Sequence, residues 1–123
     1  MRMRFGSVIT NDEDRAIDFW VNKLGFQLMF DNPTNFGGRF LGFMPPGGGT
    51  WLAMSSPIPG MPAKAGGFSN LSWETDDLEA TYEALRAKGV EFTQPPTRRF
   101  WGGIEAQFQD PDGNIFLLQQ GGV

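Results

Sequence analysis

The sequence contains no histidine and no cysteine. Without histidine it lacks the commonest metal ligand and the usual general base near neutral pH. Without cysteine it has no disulfide, no thiolate metal site and no thiol nucleophile. Chemistry is left to carboxylates, amides, hydroxyls, lysines, arginines and the single Tyr82. Basic residues are also few. Ten Lys and Arg stand against fourteen Asp and Glu, for a net charge of −4 and a pI near 4.6. Nucleic acid asks for a basic stripe, so this balance argues against that partner, while it suits a cationic ligand. No long apolar run is present either, so neither a signal peptide nor a membrane span is expected, and the cytoplasm is the default location.

What is there is an ordinary globular mix. The chain has 123 residues, 40% of them hydrophobic and 20% charged, enough for one domain with a real core. Its most informative stretch is Asp110-Pro111-Asp112-Gly113-Asn114 followed by Ile115 to Gln119. Pro111 presets φ for a turn, and Gly113 supplies the left-handed exit. Gly103 to Gln109 alternates apolar and polar before it, so the two runs predict a closing hairpin.

The chain in order predicts strand 3–10, then a helix capped by Asn11 with Asp12, Glu13 and Asp14 in its first turn. Ile17, Trp20, Val21 and Leu24 give that helix one apolar face, and Gly25 ends it. Strand 26–30 is broken by Asn32-Pro33-Thr34-Asn35, and strands 39–44 and 50–55 follow. Residues 56–67 hold three prolines and three glycines and read as a linker. Strand 68–75 leads to a second helix, capped by Asp76 with Glu79 completing a capping box. Its apolar side is Leu78, Tyr82 and Leu85, and Lys88-Gly89 ends it. Strand 90–93 is broken by Gln94-Pro95-Pro96 before the hairpin.

The halves repeat one order: strand, helix, three strands. Thr10 and Asp12 correspond to Thr75 and Asp77 at an offset of 65, and Gly25 and Gly49 correspond to Gly89 and Gly113 at an offset of 64. The expected fold is α+β: module 1 over about 1–56, a linker over about 57–66 and module 2 over about 67–123, each βαβββ.

A paired βαβββ domain resembles the vicinal-oxygen-chelate superfamily of glyoxalases, bleomycin resistance proteins and extradiol dioxygenases. The resemblance is carried by Asp12 to Trp20, Leu24-Gly25-Phe26, Trp73 to Asp77, Lys88-Gly89-Val90, Trp101-Gly102-Gly103 and the Asp110–Asn114 turn. It spans nearly the whole chain and implies a curved mixed sheet, a cup with helices outside. It also implies four cup-facing positions at which metal-binding members ligate with His or Glu. Here they fall on Phe5, Ala53, Asn70 and Leu117. Phe, Ala and Leu have no donor atom, so the departure points to the metal-free branch, similar to the bleomycin-binding resistance proteins.

Strand parity from those positions lists the cup lining as Phe5, Ser7, Ile9, Trp51, Ala53 and Ser55, with Asn70, Ser72, Glu74, Ile115, Leu117 and Gln119 from the second half. Glu74 is its one carboxylate, a partner for a cationic group or a general base. Arg98-Arg99-Phe100-Trp101-Gly102-Gly103 reads either as a lid, with Trp101 stacking on a planar ligand, or as a dimer contact. The expectation is a metal-independent protein that binds an aromatic or cationic small molecule, without cofactor, as a homodimer. The alternatives are a lyase, isomerase or dioxygenase whose metal uses other ligands, such as Glu74 with Glu105, and a filled cup whose protein works through its surface.

Overall fold

In the computed structural model, which describes residues 1–122, the chain divides into two units, Met1–Gly66 and a second beginning at Gly67. Each is one helix on one four-stranded mixed sheet. Two four-stranded mixed sheets and two helices, with no closed barrel, make an α+β fold.

Unit 1 holds β1 (Phe5–Ile9), α1 (Glu13–Ile17), β2 (Gln27–Pro33), β3 (Arg39–Met44) and β4 (Trp51–Ser55), in sheet order β1-β4-β3-β2. β1 runs parallel to β4, which requires a crossover, and α1 supplies it. The first helix differs from expectation at both ends. Asp12, not Asn11, is the cap: its side chain accepts from the Arg15 amide at 3.0 Å. The Asp12 amide in turn donates to Thr10 Oγ1 at 3.1 Å, and this local turn fixes which residue caps. From Asp18 to Lys23 the helix widens into a π-helix, with Leu24 N–H donating to the Phe19 carbonyl. The widening rotates the buried face to Ala16, Phe19 and Trp20, leaving Ile17, Val21 and Leu24 half-buried. Trp20 then meets Phe26 at 5.0 Å and Phe43 at 6.4 Å between ring centroids. Under this helix lie Leu41, Phe43, Leu52 and Met54, all within 1% of full burial.

The expected break at Asn32–Asn35 comes later. β2 continues through Pro33, because it is an edge strand and Pro33 needs no ladder donor on its open side.

Unit 2 holds β5 (Gly67–Glu74), α2 (Leu78–Ala87), β6 (Glu91–Arg98), β7 (Ile104–Gln109) and β8 (Asn114–Gln120), in sheet order β5-β8-β7-β6. Asp77, not Asp76, caps α2, accepting from the Ala80 amide at 3.1 Å. Leu78 and Leu85 are buried, and Tyr82 sits edge-on to Phe92 at 4.7 Å. Beneath them Phe108 stacks on Phe116 at 5.5 Å. β6 runs straight through Pro95-Pro96, again on a sheet edge, and absorbs them as register slips between Phe92 and Thr97.

The closing hairpin follows the sequence pattern. Asp110 is buried and Gly113 has φ +79°. The Asp110 carboxylate accepts from the amides of Asp112 and Asn114 and from Asn114 Nδ2, at 2.9–3.0 Å.

The two units also differ in how the first strand pairs. β1 pairs with β4 in unbroken register, whereas β5 slips against β8. Phe68 faces Ile115 and Ser72 faces Leu117, so two extra residues bulge from β5. Asn70 occupies that bulge at φ +63°, a left-handed conformation that asparagine tolerates. Ser69 stitches it down: its Oγ donates to the Ile115 carbonyl at 2.7 Å and accepts from the Leu71 amide at 3.1 Å.

Candidate functional site

Each sheet buries one face under its helix. The chemistry available to a ligand therefore lies on the opposite, far face of each unit, and the two far faces differ in kind.

In unit 1 strand register places Phe5 opposite Trp51, Ser7 opposite Ala53, and Gly42 between Ala53 and Phe30. Parity thus sets Phe5, Phe30, Phe40 and Trp51 on one face. The rings touch in series. Phe5 meets Trp51 at 4.8 Å, Trp51 meets Phe30 edge-on at 5.5 Å, and Phe30 meets Phe40 edge-on at 5.2 Å. Phe5 is 39% exposed and Phe40 37%. Gly42 makes the arrangement possible, since any Cβ there would occupy the space of the Phe30 ring. The expected lining residues Phe5, Ser7, Trp51 and Ala53 share this face, with Ser7 exposed and Ala53 buried. Phe30 and Phe40 were missed by sequence reasoning. Extending strand parity from β4 to β3 finds Phe40, and carrying it on to β2 finds Phe30, whose phase the irregularity between Leu28 and Phe30 hides in the sequence.

In unit 2 the far face is polar. Ser72 pairs with Leu117, Leu117 with Gln107, Glu74 with Gln119, and Gln119 with Glu105. Glu105 is 7% exposed and held from two sides. Gln119 Nε2 donates to its Oε2 at 2.9 Å, and Arg99 Nη2 approaches its Oε1 at 3.4 Å. Arg99 Nη2 also donates to Gln94 Oε1 at 2.8 Å. A buried carboxylate needs such partners, because an uncompensated one would cost several kcal/mol, of order 3–5. Ser72 and Glu74 are exposed, and Ile115, Leu117 and Gln119 half-buried. Asn70 is exposed on its bulge. Gln94 and Arg99 lie outside the expected lining, Gln94 because the pattern Gln94-Pro95-Pro96 reads as a break where β6 in fact continues.

Trp101 is half-buried. Its ring lies against Gly103 and Gly122, so closely that a Cβ at either would overlap it. Its neighbour Phe100 is the fully exposed ring of that turn.

The four positions expected to carry a metal do not fit one. Phe5, Ala53 and Leu117 have no donor, and Asn70 offers one amide from an irregular backbone. Glu74 and Glu105 do not form a substitute pair. They lie on strands β5 and β7 with β8 between them, so their backbones are about 10 Å apart. Both Glu105 oxygens already face Gln119 and Arg99. Among the described residues no group of three or more Asp or Glu is placed to hold an ion.

Known proteins resemble this chain in sequence and in fold. A curated relative, the uncharacterized protein YetH of Bacillus subtilis, is 33% identical over 93% of both chains. A crystal structure of a superfamily member from Sphaerobacter thermophilus superposes with a TM-score of 0.86 at 35% identity, covering 98% of each chain. That of TnmS3, an antibiotic binding protein from a Streptomyces species, gives 0.83 at 35% identity, over 98% of this chain and 95% of that one. The family model for the glyoxalase/bleomycin resistance protein/dioxygenase superfamily matches residues 4–118, and with two βαβββ units and these neighbours the chain belongs to that superfamily.

Proposed function

We propose that this protein binds a planar aromatic small molecule, neutral or cationic, without a metal and without turning it over. One observation carries the reading: the connected rings of Phe5, Trp51, Phe30 and Phe40 on the far face of unit 1, with Phe5 and Phe40 more than a third exposed. Exposed aromatic rings in contact offer stacking and edge contacts worth roughly 0.5–1.5 kcal/mol each beyond area burial. The donor-poor set Phe5, Ala53, Asn70 and Leu117 supports metal independence. The likeness to TnmS3, described as an antibiotic binding protein, supports binding rather than turnover. The proposal includes a homodimer, with the exposed Phe100 as a surface ring suited to a protein contact.

The test is a titration with 9-aminoacridine, a planar cation, read by tryptophan fluorescence. Saturable quenching is expected, weakened tenfold or more by Trp51→Leu. A linear, non-saturating response in the native protein would overturn the reading. Light scattering at several concentrations tests the dimer.

A further inference from the structure

The polar cluster of unit 2 has a direction. Arg99 makes both its side-chain contacts through a single nitrogen, Nη2, which serves Gln94 Oε1 at 2.8 Å and Glu105 Oε1 at 3.4 Å. Its Nε and Nη1 have no partner among the described residues, and the side chain is 33% exposed. Glu105 is in turn anchored by Gln119 Nε2 on its other oxygen. Gln94 Nε2 reaches back toward the Glu105 carbonyl at 3.4 Å. The guanidinium is therefore held at one corner by the buried Glu105 and the half-buried Gln94, while its remaining donors are left open.

We infer that Arg99 is the anchor of a carboxylate-binding site on the far face of unit 2. A guanidinium presents N–H donors in a fixed planar fork whose spacing matches the two oxygens of a carboxylate. Fixing the fork beforehand removes the rotamer entropy that binding would otherwise cost, and Arg carries much of it. Glu105 positions Arg99 and does not touch the ligand. Its contact with Arg99 is long, and its other oxygen already accepts from Gln119, so it leaves the guanidinium able to take a second anion. Register puts Leu117 two residues along β8 from Gln119, on the same face and half-buried. An apolar body attached to the carboxylate has that side chain to rest on. The ligand class is an aromatic or short aliphatic monocarboxylate. This runs against the overall charge of −4, which by itself favours cations.

Benzoate and its neutral isostere benzamide distinguish the site from general stickiness. Chemical shifts of the full chain are followed by NMR, including the Arg99 Nε–H and Gln119 side-chain amide signals. Benzoate is expected to saturate and to move these two signals, and benzamide to bind at least tenfold more weakly. Arg99→Gln is expected to lose benzoate binding by tenfold or more, with Arg99→Lys intermediate, since lysine keeps the charge and loses the fork. Equal affinity for benzoate and benzamide would overturn the inference, and so would unchanged benzoate binding in Arg99→Gln. The chain holds four tryptophans, so the part of the 9-aminoacridine response lost in Trp51→Leu is what reports on unit 1, and it is followed separately from the Arg99 and Gln119 signals.

Discussion

Gly42 lies beneath the ring of Phe30, so that a Cβ built on it falls 2.7 Å from Phe30 Cζ and nearer still to Cε2. The missing side chain in the middle of β3 is what lets Phe30 lie across the sheet and meet Trp51 and Phe40 together. Gly42→Ala is expected to push the ring off this position at a cost of about 1–3 kcal/mol, the range for overpacking a filled site. Urea denaturation measures the loss, and 9-aminoacridine binding should weaken with it. A stable variant with native affinity would mean that Phe30 takes no part.

The helix caps give a sharper comparison. Asp77→Ala removes the acceptor for the Ala80 amide and should cost about 1 kcal/mol. Asp76→Ala, one residue earlier, should shift the denaturation midpoint far less, because its side chain is not the cap.

Asp110 sets a pH dependence. Burial raises its carboxyl above the ordinary aspartate range, against hydrogen bonds from Asn114 and Asp112 that lower it. A carboxyl raised in the folded state binds its proton more tightly there than in the unfolded chain. Its contribution to stability is then fully present below the unfolded value, about 3.9, and is lost as pH rises through the folded value. A carboxyl NMR titration should place the Asp110 midpoint above 3.9, the usual aspartate value. Stability relative to Asp110→Asn should fall as pH climbs through that midpoint. A midpoint at or below the usual value would contradict the direction.

Metal removal should do nothing. After dialysis against EDTA, the affinity for 9-aminoacridine and the unfolding midpoint are expected to be unchanged, and elemental analysis of protein purified without an affinity metal should find far less than one ion per chain. An affinity that falls with EDTA and returns with one divalent ion would promote the enzyme alternatives.

The fold was legible because its signals are local and repeated. The offset that links Thr10 and Asp12 to Thr75 and Asp77 already contained the right caps. In both units the threonine hydroxyl accepts from the amide of the aspartate two residues on, and this selects the second acidic or amide residue over the first. Propensity alone cannot separate Asp76 from Asp77. The prolines at 33 and 95–96 misled for a different reason. They break a central strand but not an edge, and which strands lie at an edge is a property of the sheet, not of the segment. The π-helix was invisible because an apolar stripe records that a face is buried, not how many residues make a turn.

The far faces were half legible. Parity found Phe5, Ser7, Trp51 and Ala53 on one sheet and Ser72, Glu74, Leu117 and Gln119 on the other, since each lies in a stretch of regular pairing, Ser72 and Glu74 past the bulge of β5. Phe30 and Gln94 each sit beside a register slip, where counting by twos loses its place.

The bulge at Asn70 also limits what protein engineers can do with this scaffold. Retrofitting a metal centre by writing His or Glu into positions 5, 53, 70 and 117 treats the four as equivalent. Three start from regular strands, but residue 70 leaves a left-handed backbone whose Cα–Cβ bond aims elsewhere. A histidine grafted there inherits that aim. Giving position 70 the regular strand backbone of position 5 therefore requires deleting the two surplus residues of β5 first, and with them the Ser69 stitch that makes the distortion stable.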